Sequence, residues 1–121
     1  MAYTDSLGNR IGVYSLGIAP VVSLSAKSAT TSTPVVLDGL AVRSAAVMST
    51  TTSTGVSAGD VQLQGSLDGT NWFNLGSPVS TTSASTTTQT VVSSAYARYF
   101  RAAITTAITG GTVTVSVAAS G

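Results

Sequence analysis

The fold class is decided by the segment Gly111-Thr112-Val113-Thr114-Val115-Ser116-Val117, near the C-terminus. Its valines occupy every second position and hydroxyl side chains alternate with them, which is the period of a β-strand with one buried face. The segment Asp60-Val61-Gln62-Leu63-Gln64-Gly65-Ser66-Leu67 alternates in the same way. We expect Val61, Leu63 and Leu67 to point into a core, with the two glutamines and Ser66 on the opposite face. Helical periodicity is nearly absent, so the sequence predicts an all-β protein.

Further strands are predicted on both sides of these segments. The stretch 96–106 places Phe100 and Ile104 on one face, which we expect to be the core side. The turn Asp68-Gly69-Thr70-Asn71 joins the strand that ends at Leu67 to the next one as a hairpin with a loop of about four residues. Weaker strands are predicted at residues 21–27, 34–37, 41–51, 72–75 and 86–93. About seven to eight short antiparallel strands with no helix to cover them predict a β-sandwich or jelly roll over residues 21–121.

Residues 1–20 differ from the remainder of the chain. They mix Gly, Pro and isolated apolar side chains without sustained alternation, which predicts an extended N-terminal arm. Its apolar residues are candidate anchors on neighbouring subunits: Leu7, Ile11, Leu16 and Ile18. The alternative is an arm that folds back on its own domain.

Charge is unusually scarce in this sequence. Only 7% of its 121 residues are charged and the net charge is +1, whereas about 25% charged residues is typical of a globular protein. Serine and threonine make up about a third of the chain and replace the missing charges. Such a surface gives little electrostatic protection against association, so we expect much of it to be buried in an assembly, with a homo-oligomer included. A free extracellular domain with a hydroxyl-rich surface is the alternative.

The composition argues against several classes of function. The five cations are scattered, which disfavours nucleic acid as a partner. No apolar run is long enough for a spanning helix, so we expect no membrane partner. The N-terminus lacks the features of a secretory signal, so a protein that ends up outside a cell would be carried out by other means. With no His, Cys or Glu, the candidate acids and bases reduce to four Asp and one Lys, and no motif of a catalytic site is present. We therefore predict a protein that is not an enzyme and has no cofactor or metal.

Two weaker hypotheses centre on the predicted hairpin. Asp68 and Asn71 offer two oxygen side chains, as in a fragment of a calcium loop, but their backbone preferences as turn residues account for them equally well. Trp72 and Phe73 are adjacent, so in a strand they point to opposite faces, one toward the core and one toward solvent or a partner. Together with Tyr96 or Tyr99, the outward one could stack on a sugar ring, although core packing explains most such aromatic residues.

Two parts of the sequence resemble small β-sandwich virion proteins of tailed bacteriophages. The first is the hairpin Gly65-Ser66-Leu67-Asp68-Gly69-Thr70-Asn71-Trp72. The second is Ala97-Arg98-Tyr99-Phe100-Arg101-Ala102, followed by Thr109-Gly110-Gly111-Thr112-Val113-Thr114-Val115. The resemblance covers residues 61–117 and carries over no binding site residue by residue.

The resemblance implies a capsid decoration, or cement, protein that is made in the host cytoplasm and ends in the virion. Its partners would be the major capsid protein or other virion proteins. On this hypothesis the arm, Trp72 and Phe73 are the candidate partner-binding residues. The alternatives are a carbohydrate- or surface-binding module of a fibre, and a tail or neck structural component.

Overall fold

The computed structural model describes residues 17–121, and this part of the chain folds into β-strands without a helix. The strands are β1 (Gly17–Lys27), β2 (Leu37–Arg43), β3 (Ala45–Thr52), β4 (Ala58–Ser66), β5 (Phe73–Asn74), β6 (Val79–Ser80), β7 (Thr87–Val92), β8 (Ala97–Thr109) and β9 (Val113–Ser120). The all-β prediction is confirmed. The strand number exceeds the expected seven to eight because β5 and β6 are only two residues long each.

The strands form two antiparallel sheets. One has four strands in the order β1-β9-β3-β7. The other has five: β2, β8, β4 and β5 follow one another, and β6 pairs with β4 beside β5. The two sheets bury one face each against the other, which is the predicted β-sandwich.

The core lies between the two sheets and follows the period-two pattern. Val113, Val115 and Val117 of β9 are at most 1% exposed. Phe100 and Ile104 of β8 face them from the five-stranded sheet, so the choice of core side for this strand is confirmed. Polar contacts also tie the layers together. The Ser23 hydroxyl of β1 donates to the carbonyl of Val35 (2.8 Å) and accepts from the amide of Ala102 (2.9 Å).

The predicted single strand at residues 41–51 is wrong, because the chain changes sheets at Ser44. β2 ends at Arg43 in the five-stranded sheet and β3 begins at Ala45 in the four-stranded sheet. At the crossing, the Ser44 amide donates to Ser120 and its carbonyl accepts from Ala95. Apart from Arg43, the four residues on each side of Ser44 are apolar, and the prediction carried one strand through the break.

Two further details of the hairpin differ from expectation. β4 ends at Ser66, so the loop to β5 spans residues 67–72 and Leu67 is 60% exposed rather than inward. Gln62 lies on the face opposite the core, as predicted, but it is only 3% exposed. Its side-chain amide donates to the carbonyls of Leu63 (2.9 Å) and Leu75 (3.0 Å), and the chain beyond β5 covers it.

The predicted arm lies mostly outside the described residues, and with it Leu7, Ile11 and Leu16. Its last four residues, 17–20, belong to β1, where Gly17 pairs with Ser120 and Ile18 pairs with Ala119. Residues 17–20, predicted as part of the arm, therefore belong to the sandwich.

A hydroxyl-lined cleft opens between β3 and the segment around β6. Thr50, 1% exposed, and Thr81, 2% exposed, line it, and neither hydroxyl has a hydrogen-bond partner among residues 17–121. The hydroxyl of Thr52, two residues along the same strand, does have hydrogen-bond partners. It donates to Ser83 (2.7 Å) and accepts from the amide of Thr86 (3.0 Å).

We expect Thr50→Val and Thr52→Val to change stability in opposite directions. Valine has nearly the shape of threonine, so each change removes only the hydroxyl. Removing an unpaired buried hydroxyl relieves a desolvation cost, so Thr50→Val should raise the free energy of unfolding by about 1 kcal/mol. Thr52→Val leaves the Thr86 amide without its acceptor and should lower it by about 1–2 kcal/mol. Urea denaturation of both variants checks this. Equal losses in the two would show that the Thr50 hydroxyl does have a partner.

Candidate binding surfaces

The loop after β4 is organised around Asp68. Its Oδ1 accepts from the amides of Thr70 and Asn71 (2.8 Å each) and from the Ser66 hydroxyl (2.9 Å), while its Oδ2 accepts from the Asn71 side-chain amide (2.7 Å). Gly69 has a positive φ of 77° and donates to the Ser66 hydroxyl. Asp and Gly are needed here because one supplies the acceptors and the other tolerates the left-handed conformation.

These contacts decide between the two interpretations of the loop. Both carboxylate oxygens of Asp68 are engaged by donors of its own turn, so the residue caps the loop. The hydrogen bonds, led by that from the Asn71 amide, hold the pKa of Asp68 well below its usual value. Residues 17–121 contain no group of three or more residues with side chains suited to a metal ion. The geometry therefore favours the turn over the calcium site.

Trp72 lies against the outer face of the five-stranded sheet. The Arg101 guanidinium carbon is 4.2 Å from the centre of its ring, a cation–π contact. Arg101 also donates through Nε to Gln64 Oε1 (2.9 Å), and Gln64 donates to Asn74 Oδ1 (3.1 Å). Partial burial lowers the pKa of Arg101. One face of the indole is thus covered by a residue of β8.

Phe73 is 41% exposed and belongs to the short edge strand β5. It pairs across the sheet with Gly65, and a methyl group on that glycine would lie 3.4 Å from the phenyl ring. The ring therefore packs over the bare backbone of Gly65. Its remaining surface lines a shallow groove together with Leu67, Asp68 and Asn71. Contrary to expectation, neither Trp72 nor Phe73 is buried in the core.

Charged side chains are segregated to one side of the sandwich. In the four-stranded sheet only Lys27, at the end of β1, is charged. On the other sheet, Arg98 donates to Asp38 through Nε (3.0 Å) and Nη2 (3.3 Å). This contact lowers the pKa of Asp38 and raises that of Arg98.

The outer face of the four-stranded sheet, which we call the neutral face, has no charged side chain in its central part. Exposed valines lie near both of its margins, with Val22 on β1 at 49% and Val91 on β7 at 69%. Two shallow grooves share Val47 and Ala118. The residues of this face are Val22, Ser116, Ala118, Val47, Ser49, Gln89 and Val91.

Sequence reasoning did not find the neutral face. The low charge of the whole chain was visible in the sequence. The segregation of the few charged residues to one sheet, however, depends on which strands are neighbours. The available signal was local: the segments that became β3, β7 and β9 contain no charged residue at all. A smaller exposed apolar stripe lies on and before β2, with Leu40 at 69% and Val42 at 56%.

Of the predicted site residues, Trp72 and Phe73 are the two whose side chains the structure describes. Trp72 and Phe73 lie on the five-stranded sheet. Ile18 is in β1 of the other sheet, and its side chain is outside what the structure describes, as are Leu7, Ile11 and Leu16. Within residues 17–121 there is no helix long and apolar enough to cross a membrane.

Comparison with known protein families gives a match over most of the sandwich. A family model described as a domain of unknown function, DUF6385, matches residues 43–121. The match begins at the last residue of β2 and contains β3 to β9. Neither the curated proteins nor the solved structures contain a match to the chain.

We expect Asp68→Asn to lower stability near neutral pH and to flatten its dependence on acid. A carboxyl whose folded-state pKa is depressed contributes stability above its unfolded pKa of about 4, and that contribution is lost as the pH falls toward the folded-state value. The gap in melting temperature between the native protein and Asp68→Asn should therefore be largest near pH 7 and should shrink toward pH 2. Asp60→Asn is the matched control, because Asp60 accepts one side-chain hydrogen bond, from Ser80. A gap that does not change with pH would contradict the capping role.

Proposed function

The chain belongs to the DUF6385 family, a domain of unknown function, and we propose that it is a structural virion protein that decorates and cements an assembled capsid shell. The observation that carries the proposal is the neutral face. The resemblance of the hairpin and of β8 to tailed-phage virion proteins supplies the kind of assembly. No catalytic role is proposed, because the chain lacks His, Cys and Glu.

A neutral face suits docking on a protein surface. Burying charged groups costs free energy unless each is paired, whereas Val, Ala, Ser and Thr lose little on contact. The paired part of this sheet is four strands wide and about eight residues long, which gives a face of about 500 Å². A standard protein–protein interface buries about 800 Å² per partner. One face alone would therefore bind weakly, and repeated copies on a shell would add their contributions.

Cementing then follows from linkage. A protein that binds the assembled shell and not its free subunits shifts the equilibrium toward assembly by mass action. The predicted arm would add contacts to neighbouring subunits, and its residues 17–20 belong to β1, the edge strand of the sheet that bears the neutral face.

We expect Val22→Asp to weaken binding to shells and Val42→Asp to leave it unchanged. Both residues are exposed valines on edge strands, but Val22 is on the neutral face and Val42 is on β2 of the opposite sheet. A carboxylate buried without a partner should lower affinity about tenfold or more. Cosedimentation with assembled shells of the virus that encodes the protein measures this, with unassembled shell protein as a further comparison. No binding by the native protein would reject the shell hypothesis, and equal losses in both variants would reject the neutral face as the contact.

A carbohydrate-binding module is the second candidate, favoured by the groove in which exposed Phe73 adjoins Asp68 and Asn71. Aromatic rings beside amide and carboxylate groups are suited to sugars. Two contacts oppose it: Arg101 covers one face of Trp72, and Asp68 is engaged within its own turn.

On this second candidate, Phe73→Ala would abolish glycan binding. On the shell hypothesis the native protein gives no specific signal on a glycan array, which is the result we expect. A reproducible hit that disappears in Phe73→Ala, with the fold intact by circular dichroism, would transfer the proposal to the sugar-binding module.

A further inference from the structure

Edge strands of a sheet expose main-chain donors and acceptors, and proteins protect them with recognisable devices. Most edges of this sandwich are protected. β1 contains Pro20, ends at Lys27 and pairs with β9 through three register shifts. β2 has a register shift between Asp38 and Arg43 and a left-handed Leu40 with φ of 65°. β5 and β6 are two residues long each, too short to serve as templates.

β7 is the exception among the edges that the structure describes. It reads Thr87-Thr88-Gln89-Thr90-Val91-Val92, with no Pro, Gly or charge. All six residues pair with β3 without a register shift. No other strand within residues 17–121 pairs with its second edge. A regular, uncharged strand of this length is a template for another strand.

The hydrogen-bond pattern shows which residues of β7 face the open edge. The Thr52 amide donates to the Thr86 carbonyl (2.9 Å), so the pair Thr52 and Thr86 is of the hydrogen-bonded kind. Bonded pairs recur at every second residue of an antiparallel ladder, so Thr88 and Thr90 also turn their main-chain groups toward β3. The odd-numbered residues therefore present their amides and carbonyls to the open side: Thr87, Gln89 and Val91.

We propose that this edge pairs with the β7 of a second copy of the chain, antiparallel, about a two-fold axis at Gln89. Strands in one continuous sheet must keep their outward side chains on the same face, so paired residues must both be odd-numbered or both even-numbered. An axis at Gln89 meets this condition. It sets Gln89 opposite the partner's Gln89 and Thr87 opposite the partner's Val91, and it engages all the edge-facing residues in about six main-chain hydrogen bonds.

A second copy fits this edge better than a foreign strand for two reasons. The edge-facing residues are centred on Gln89, so the strand is complementary to itself and places no like charges across the axis. The pairing also closes. The resulting eight-stranded sheet ends at β1 on both sides, where Pro20 and the bulges oppose further addition.

The dimer joins two neutral faces side by side into one surface of about 1,000 Å², comparable with one side of a standard protein–protein interface. This use of the surface deepens the proposed docking and rests on it. The β7 pairing does not rest on the proposed docking, because it is a property of the isolated protein. Dimerisation and shell binding are measured separately, so either can fail without the other.

A charge-exchange experiment tests the pairing and its register. Gln89→Lys and Gln89→Glu each set like charges across the axis, and their mixture sets opposite charges there. We expect the native protein to show a concentration-dependent dimer by sedimentation velocity and each variant to weaken it about fivefold or more. An equimolar mixture should form a heterodimer tighter than either variant alone. The same exchange at Thr105, an exposed residue of β8, should change nothing.

Three results would overturn the proposal: a native protein that stays monomeric at every concentration, a dimer indifferent to both Gln89 variants, or a mixture no tighter than its components. Gln89→Pro is a second probe, because it removes an edge-facing amide that makes no bond to β3. Circular dichroism of each variant checks that the sandwich is intact. A folded Gln89→Pro variant that dimerises as well as the native protein would likewise reject β7 as the interface.

Discussion

The structure depends on the strict two-residue period of its strands. Once Val113, Val115 and Val117 are committed to the core, the residues between them must form the outer surface of the same sheet. In most proteins charged side chains on that outer surface keep it solvated. Here the alternating positions hold Thr, Ser and Ala, so burial of one face automatically produces a neutral opposite face. The surface that we propose for docking is thus a direct consequence of the pattern that forms the core.

The two outer faces are chemically different, although both come from the same kind of alternation. On the five-stranded sheet, Arg98 is paired with Asp38 and Arg101 is held by Trp72 and Gln64, so these cations are engaged within the chain. Exposed pairs of this kind contribute little to stability. Their effect is to fix one face as polar and structured while the other stays neutral and nearly featureless. A partner that avoids desolvating charge would therefore meet the four-stranded sheet first.

The sequence predicted the fold class and much of the core because those follow from local periodicity. The alternation around Val115 and around Leu63 correctly predicted a strand in each segment, and Phe100 and Ile104 were placed on the correct face. The break at Ser44 and the exposure of Leu67 were missed, since both depend on where pairing stops. The neutral face and the open edge of β7 were not predicted. Each depends on which strands are neighbours, and the order of strands in a sandwich cannot be derived from the sequence of any single segment.

A chain with a net charge of +1 cannot rely on electrostatic repulsion to stay dispersed. Protection against uncontrolled sheet growth must then come from backbone geometry, and the bulges of β1, the irregular β2 and the very short β5 and β6 supply it. Against that background the regular, uncharged β7 is the one described edge left without such a device. In a protein with so few charged residues, an unprotected edge is most simply explained by a strand of another copy that pairs with it. A two-fold pairing closes the sheet at both ends, and therefore ends association at a dimer instead of a fibre.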